Sequence, residues 1–209
     1  MPFPPRIVLA TRNEHNIREL TRICADWPVA WVSLLDPSVT DVPEVKETGT
    51  TYLANALLKA QAVADALDVP ALADDSGIEV DALGGRPGPR SARYAGEQAT
   101  DEANLRALIA ALRGIPAAGR TAQYRCVAVL ALPHDPAAAR RAEGICEGTL
   151  VGAPRGTGGF GYDPIFVPAG WDQTMAELTD EQKDRTSHRG RAFRAMRDLL
   201  GADRLPPLV

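Results

Sequence analysis

An amphipathic helix followed closely by a strand constrains the fold of this chain more than any other feature of the sequence. Between residues 53 and 67, apolar side chains recur at helical spacing, and the polar edge of this helix carries Asn55 and Lys59. The apolar run at residues 69–73 then predicts a strand. Such a close succession of helix and strand is typical of an α/β protein.

The rest of the chain continues this alternation. An apolar run at residues 6–10 predicts a buried first strand, and the helix after it places Ile17, Leu20 and Cys24 on one side. Five more elements are expected in order: a strand near residues 31–35, a helix from the N-cap Thr100, two strands at 121–132 and 141–151 that form a hairpin connected by 133–139, and a helix from Ser187. The mixture predicts an α/β protein with a mixed sheet.

Composition excludes several classes of protein. With 23 Lys and Arg against 27 Asp and Glu, the net charge is -4, which provides no overall attraction to a nucleic acid polymer or a membrane. Three cysteines, Cys24, Cys126 and Cys146, are too sparse for a disulfide framework and suit a reducing compartment. Because no apolar run reaches transmembrane length, we expect a cytoplasmic protein, and 209 residues favour one domain or two closely joined lobes.

The glycines Gly156, Gly158 and Gly161 match the dinucleotide-binding fingerprint Gly-x-Gly-x-x-Gly. That fingerprint requires a helix to leave the glycines with its N-terminus at the pyrophosphate. Here Pro164 blocks a helix, and the residues that follow it favour an extended strand. A nicotinamide-dependent oxidoreductase is therefore an improbable interpretation, since it depends on the glycine pattern alone.

Two polar segments follow predicted strands, and each has both a functional and a structural interpretation. Thr11-Arg12-Asn13 precedes a helix, so its polar groups and backbone N–H groups suit a phosphate, although Asn13 is equally explained as an N-cap. Asp74-Asp75-Ser76-Gly77 is expected at the C-terminal end of a strand, with its two aspartates on opposite faces. One carboxylate then suits Mg²⁺ binding or proton transfer, and the alternative is an ordinary polar turn.

A third polar segment begins the last predicted helix. Ser187 is a suitable N-cap, but His188 and Arg189 place cationic charge at the helix end where the dipole disfavours it. This arrangement favours an anionic or electron-rich ligand nearby, and Lys183 lies close upstream. The alternative is a charged helix end that is simply solvated.

Eight segments in this order resemble the inosine/xanthosine triphosphate pyrophosphatase family, which removes deaminated purine nucleotides from the precursor pool. The matching segments span nearly the whole chain and are Ala10-Thr11-Arg12-Asn13, Glu47-Thr48-Gly49, Asn55-Ala56 with Lys59-Ala60, Ala73-Asp74-Asp75-Ser76-Gly77, Leu83-Gly84-Gly85-x-Pro87-Gly88, Ser91-Ala92-Arg93-Tyr94, Gly156 to Pro164, and Ser187-His188-Arg189-Gly190.

The resemblance implies a fold and a function. The fold is an elongated mixed sheet flanked by helices, with the whole chain, residues 1–209, forming one domain of two lobes and a nucleotide cleft between them. The function is Mg²⁺-dependent hydrolysis of ITP, dITP and XTP to the monophosphate and pyrophosphate, by a protein that is typically a homodimer. The alternative is a purine-nucleotide-binding protein of the same fold with weakened hydrolysis.

The resemblance also implies roles for individual residues. Asp75 corresponds to the general base, and Phe160 to an aromatic side chain that stacks on the purine. The other residues implied to contact the nucleotide are Thr11, Arg12, Asn13, Asn16, Lys59, Ser76, Gly161, Tyr162, Asp163, Lys183, His188 and Arg189. For Mg²⁺, the implied ligands are Asp75, Glu47 and Glu44.

The chain departs from the family pattern at three positions. Asn16 stands where the family commonly has Lys, so that one phosphate contact is weakened or supplied from elsewhere, and Ala54 stands where Glu is common. Lys46 replaces an acid proposed as a metal ligand, and Glu47 or Glu44 could substitute for it. Asn16 and Lys46 are the residues that motivate the alternative of a weakened enzyme.

Base selection has a physical explanation within this resemblance. Hypoxanthine and xanthine carry an oxygen at position 6, to which Arg189 can donate, whereas adenine would bring an amino donor against it. Guanine shares the oxygen, so its rejection must come from its 2-amino side.

Overall fold

The computed structural model describes residues 5–37 and 39–202. Its strands are β1 (Arg6–Leu9), β2 (Ala30–Ser33), β3 (Ala71–Val80), β4 (Arg86–Pro87), β5 (Thr121–Leu132), β6 (Asp135–Leu150) and β7 (Phe166–Pro168). Its α-helices are α1 (Glu14–Ile23), α2 (Tyr52–Leu67), α3 (Asp101–Ala111), α4 (Asp180–Thr186) and α5 (His188–Ala202). The predicted helices and strands are present, with boundaries shifted by a few residues.

The strands form one mixed sheet of seven strands in the order β2-β1-β3-β5-β6-β7, and β4 pairs with β3. β1 is parallel to β2 and β3, and its Val8 and Leu9 lie opposite Ala71 and Leu72 of β3. In contrast, β4 is antiparallel to β3, and β7 is antiparallel to β6. The prediction of an α/β protein with a mixed sheet is therefore confirmed.

Three details differ from the sequence-based expectation. Asp74, Asp75 and Ser76 lie inside β3 rather than at its end, because their side chains find hydrogen-bond partners within the fold. β6 begins at Asp135, so only Pro133 and His134 separate it from β5. Helix α4 was not predicted because its sequence, DEQKDRT, lacks apolar periodicity; a capping box of Thr179 and Gln182 starts it instead.

The chain divides into two compact units, passing from one to the other after Asp75, Arg125, Gly144 and Gly190. The first unit has two apolar layers. One joins β1, β3 and β5 to α1 and α5 and contains Leu72 and Phe193, and the other packs α2 against the same strands and contains Ala73. The alternation of side chains along β3 thus supplies both layers.

The second unit comprises Ser76–Arg125 and Ile145–Gly190. Its core joins the last residues of β3 to α3, β5, β6 and β7, with Tyr124 and Phe166 in edge-to-face contact at 4.8 Å between ring centroids. All three cysteines are buried free thiols, as expected for apolar core positions. Within residues 5–37 and 39–202, no helix is long and apolar enough to cross a membrane.

The core of the first unit yields a stability prediction. Phe193 is fully buried and its ring centroid lies 6.5 Å from that of Trp27. We expect Phe193→Ala to lower the free energy of unfolding by about 3–5 kcal/mol, since a cavity remains. Leu35→Ala, at a side chain that is 48% exposed, is the matched control and should cost under about 0.5 kcal/mol. Equal urea midpoints for the two variants would contradict this packing.

Candidate active site

Several residues implied to act on a nucleotide lie, together with side chains that contact them, in two sets, one in each unit. The carboxylate set lies in the first unit and consists of Glu47, Asn55, Lys59, Asp74 and Asp75. The aromatic-cation set lies in the second unit and consists of Phe160, Asp163, Lys183, His188 and Arg189.

Asp75 is held from helix α2 by a fully buried asparagine. The amide nitrogen of Asn55 donates to the Asp75 carboxylate at 2.9 Å, and the amide oxygen of Asn55 accepts the backbone N–H of Gly49 at 2.8 Å. A Cβ at Gly49 would lie 2.6 Å from that oxygen, so only glycine allows the loop to approach so closely. Asn55 therefore fixes both the carboxylate and the loop that carries Glu47.

Lys59 lies among three carboxylates. Its ammonium nitrogen is 2.6 Å from a carboxylate oxygen of Glu47. Burial alone would lower the pKa of Lys59, but the negative charges of Glu47, Asp75 and Asp74 outweigh it and raise the pKa above its ordinary value. Lys59 is thus a permanent cation, which suits a phosphate oxygen as well as a carboxylate.

Burial raises the pKa of Asp75 to about 6. Lys59 opposes this shift, while the nearby charge of Glu47 adds to it; the hydrogen bond from Asn55 lowers the pKa and Asp74 raises it. A carboxyl group that titrates this close to neutrality is ionised at pH 7 and still basic enough to accept a proton. The geometry and the pKa together make Asp75 a candidate general base.

Asp74 and Asp75 point to opposite faces of β3, as the sequence predicted. Asp75 contacts Asn55 of α2, whereas the thiol of Cys126 on β5 lies 3.5 Å from the Asp74 carboxylate. Asp75 therefore lies on the α2 side with Lys59 and Glu47. The charge of Asp74, on the other face of β3, still raises the pKa of Lys59.

The donor chemistry of the carboxylate set partly fits Mg²⁺. Asp75 and Glu47 supply hard oxygen ligands, and their mutual repulsion is what a divalent cation would offset. Among the described residues, no group of three or more His, Cys, Asp or Glu side chains could hold a metal ion by itself. One or two carboxylates are nevertheless sufficient where substrate phosphates complete the coordination. Glu44 and Lys46 are both exposed.

The segment from Thr11 to Asn16 leads into α1 and includes its first residues. Asn13 is the N-cap, and its side-chain oxygen accepts the backbone N–H groups of His15 and Asn16 at 2.9 and 3.3 Å. The Thr11 hydroxyl accepts the N–H of Asn13, and the Arg12 guanidinium donates to the carbonyl of Val42 at 2.8 Å. The N-cap interpretation is confirmed, and a phosphate role for these residues stays a prediction.

In the second unit, His188 and Arg189 are buried rather than solvated. Ser187 begins α5 as predicted, since its hydroxyl accepts the backbone N–H of Gly190 at 3.0 Å. The Arg189 guanidinium donates to the Ser76 hydroxyl at 3.0 Å. This bond orients Arg189. Because the Arg189 side chain is buried, the interpretation of a purely solvated helix end is wrong.

Phe160 and Lys183 are held by a common carboxylate. One Asp163 oxygen accepts the Lys183 ammonium at 2.7 Å and the backbone N–H of Phe160 at 3.0 Å. The Lys183 nitrogen lies 4.8 Å from the Phe160 ring centroid, and the guanidinium carbon of Arg189 lies 5.6 Å from it. Two cations, Lys183 and Arg189, therefore lie beside the Phe160 ring, and Lys183 is also paired with the Asp163 carboxylate.

The glycine-rich segment is needed for close backbone packing. Gly156 has a positive φ of 80°, and a Cβ there would lie 2.5 Å from the backbone of Ala176. At Gly159, with φ 66°, a Cβ would lie 2.1 Å from the Asp163 carboxylate. The N–H of Gly161 donates to Asp101 at 3.1 Å. As expected, the strand β7 follows instead of a long helix, with one 3₁₀ turn at Asp163–Ile165 before it.

Several contacts in and around these sets were not predicted from the sequence. Asn55 was placed on the polar edge of its helix, but it is fully buried because Asp75 and Gly49 satisfy its amide. The Tyr162 hydroxyl donates to the carbonyl of Ser91 at 2.8 Å inside the core. The ring of Tyr124 stacks on His188. The motifs included Asn55 and Tyr162 without indicating these contacts, and Tyr124 was in no motif.

Comparisons with known proteins decide the family. Residues 7–199 match the Ham1 family. This chain belongs to the Ham1 family. It is 50% identical over 200 residues to a dITP/XTP pyrophosphatase of Streptomyces coelicolor, covering 94% of this chain and 99% of that protein. It is also 43% identical over 195 residues to a Bacillus subtilis dITP/XTP pyrophosphatase, covering 93% of this chain and 96% of that protein.

Solved structures of Ham1 proteins agree with the fold described above. A HAM1 protein from Coxiella burnetii superposes with a TM-score of 0.84 at 36% identity, covering 95% of this chain and 99% of that chain. The Staphylococcus aureus Ham1 protein gives a TM-score of 0.80 at 38% identity, with 94% and 98% covered. The family resemblance deduced from the eight segments is therefore confirmed.

The raised pKa of Asp75 has a consequence for stability. Because the folded carboxyl titrates at about 6 and the ordinary value is 3.8, the folded protein binds more protons between these values and loses stability as the pH rises through them. We expect Asp75→Asn to remove this loss. Without metal or nucleotide, the variant should match the wild type near pH 4 and exceed it by up to about 3 kcal/mol above pH 6.

Urea unfolding of both proteins from pH 4 to pH 8 measures this difference. Asp135→Asn, at an exposed carboxylate, is the control and should follow the wild type. An Asp75→Asn variant that is less stable than the wild type at pH 7.5 would show that the carboxylate is a structural ion-pair partner.

Proposed function

We propose that this protein hydrolyses deaminated purine nucleoside triphosphates, ITP, dITP and XTP, to the monophosphate and pyrophosphate. Such hydrolysis would cleanse the nucleotide pool. The observation that carries the proposal is a buried Asp75 carboxylate held by Asn55 beside Lys59 and Glu47. It occurs in a chain 50% identical to a protein named dITP/XTP pyrophosphatase.

Asp75 is assigned the role of general base. At neutral pH its carboxylate is ionised, and it takes the proton of a water whose oxygen attacks the α-phosphorus. The bond from the α-phosphorus to the bridging oxygen of the β-phosphate breaks, and pyrophosphate leaves with its electron pair. The products are the nucleoside monophosphate and pyrophosphate, so atoms and charge balance without a covalent intermediate.

The remaining residues of the first unit are assigned to the triphosphate. Lys59 offers a buried cation, and the segment that leads into α1 offers the side chains of Thr11, Arg12, Asn13 and Asn16. Asp75 and Glu47 are the proposed Mg²⁺ ligands, with Glu44 as a further acid of the same loop. When bound, Mg²⁺ would neutralise phosphate charge and polarise the scissile group.

The aromatic-cation set is assigned to the purine base. Phe160 offers a ring for stacking, and Arg189, oriented by Ser76, offers donors to an oxygen at position 6 of the purine. Lys183 and His188 supply further polar contacts, and Gly161, Tyr162 and Asp163 shape the surrounding chain. An adenine amino group would face the Arg189 donors, which disfavours ATP.

The alternative remains a purine-nucleotide-binding protein with weakened hydrolysis, motivated by Asn16 and Lys46. The intact arrangement of Asp75, Lys59 and Glu47 favours the enzyme.

We further propose that the protein is a cytoplasmic homodimer without a nucleic acid polymer or a membrane as partner, which light scattering of the purified protein and cell fractionation would test.

Pyrophosphate release from ITP, XTP, dITP, GTP and ATP tests the function. We expect release from ITP, XTP and dITP in the presence of Mg²⁺ and its loss with EDTA, because the carboxylate set needs a cation to accept a triphosphate. Retained ITP binding without release from any nucleotide would favour the alternative. The reversions Lys46→Asp and Asn16→Lys would then be expected to restore turnover.

Substitution of Asp75 separates chemistry from binding. Asp75→Asn keeps an oxygen that accepts from Asn55 but removes the base, so we expect kcat to fall by at least about 100-fold while calorimetry still detects ITP binding. Wild-type rates in this variant would refute the assignment of the base.

Arg189→Ala tests how the base is recognised. We expect the ratio of kcat/KM for ITP over ATP to fall by roughly 10-fold or more, with a smaller effect on kcat. Arg185→Ala is the matched control, because Arg185 is exposed on α4 and forms an ion pair with Glu181 one helical turn away. Unchanged selectivity in Arg189→Ala would mean that the base is recognised elsewhere.

A further inference from the structure

Tyr124 lies in the core of the second unit and is absent from the set of residues that the sequence implied. It stands on β5, and its ring meets the Phe166 ring edge to face at 4.8 Å. Only 6% of its surface is exposed. A buried tyrosine on a central strand is rigid because both its backbone and its ring are enclosed.

The ring of Tyr124 lies flat against His188. The two ring centroids are 4.5 Å apart, and the planes differ by only 5°. His188 is the first residue of α5, so this stack fixes the imidazole at the start of the helix that also carries Arg189. The stack on Tyr124 thereby fixes His188 against strand β5 as well as at the start of α5.

The hydroxyl of Tyr124 extends this connection to the other members of the set. It donates to the Asp163 carboxylate and accepts from the backbone of Tyr162. Asp163 in turn accepts the Lys183 ammonium at 2.7 Å and the Phe160 N–H at 3.0 Å. One side chain therefore connects the sheet to His188 through its ring and to Phe160 and Lys183 through its hydroxyl.

The electrostatic environment agrees with a Tyr124 hydroxyl that acts as a donor toward Asp163 and as an acceptor toward the backbone of Tyr162. Burial raises the pKa of Tyr124 well above its usual range, and the charge of Asp163 and the hydrogen bond to it raise the pKa further. The hydroxyl thus stays protonated, and Asp163 keeps a permanent third donor besides Lys183 and Phe160.

We propose that Tyr124 is a positioning residue that sets the base selectivity of this protein. The proposal rests on the proposed function, because it assumes that Phe160, Lys183 and His188 contact the purine. Tyr124 does not touch the base; it holds in place the carboxylate and the imidazole around which the contacts to the base are arranged. Selectivity depends on such fixed donors, because a donor that can move will accommodate the wrong base.

Tyr124→Phe tests this role with little change in packing. The variant keeps the stack on His188 and the contact with Phe166 but removes the donor to Asp163. We expect KM for ITP to rise by roughly tenfold, the typical effect of losing a hydrogen bond to a charged group. The ratio of kcat/KM for ITP over ATP should fall by a similar factor, while kcat for ITP changes little because Asp75 and Lys59 lie in the other unit.

Phe166→Leu is the matched control for packing. It disturbs the same part of the core through the ring contact with Tyr124 but leaves the hydroxyl in place, so Tm should fall further than in Tyr124→Phe while selectivity is kept. If Tyr124 acted only through stability, the loss of selectivity would instead be larger in the variant with the larger fall in Tm.

The outcomes separate the two proposals. If the wild type prefers ITP and Tyr124→Phe keeps both the wild-type KM and the wild-type selectivity, the positioning role is refuted and the proposed function stands. Loss of selectivity in Phe166→Leu to the same extent also refutes the positioning role. If the wild type hydrolyses no deaminated purine nucleotide, the proposed function fails, and the positioning role fails with it.

Discussion

The hydrogen bond from Asn55 to Asp75 is the interaction on which the first unit depends. It allows a carboxylate to lie buried in the middle of β3, where an unpartnered charge would be very costly. The same amide holds Gly49, and with it the loop that places Glu47 against Lys59. Burial, a neighbouring cation and neighbouring acids together set the pKa of Asp75 near neutrality. A buried aspartate would destabilise an ordinary strand, but here its contacts give Asp75 a pKa that suits proton transfer.

The second unit solves a comparable problem with a different carboxylate. Asp163 is buried and accepts from Lys183, Phe160 and Tyr124, so its charge is compensated by donors from three parts of the chain. Gly159 must be glycine for the backbone to approach this carboxylate. Each unit thus arranges its polar set around one buried aspartate.

Much of the fold could be predicted because periodicity is local. The helices α2 and α3 and the strands β1 and β5 follow from apolar spacing and N-cap residues. The continuation of β3 through Asp74 and Asp75 could not be predicted, since it depends on Asn55 and Cys126, which are distant in sequence. Most candidate site residues were found through motifs that resemble a family, whereas Tyr124 looks like any aromatic residue of a strand. Its role depends on contacts with His188 and Asp163 that no local pattern reveals.

Asp75 is proposed to activate a water for attack at the α-phosphorus. Hydrolysis of ITP in ¹⁸O-labelled water, followed by mass spectrometry of both products, tests it most directly. We expect the wild type to place ¹⁸O in the monophosphate and none in pyrophosphate, and Asp75→Asn to label the monophosphate at least about 100-fold more slowly. Label in pyrophosphate, or equal labelling by Asp75→Asn, would contradict it.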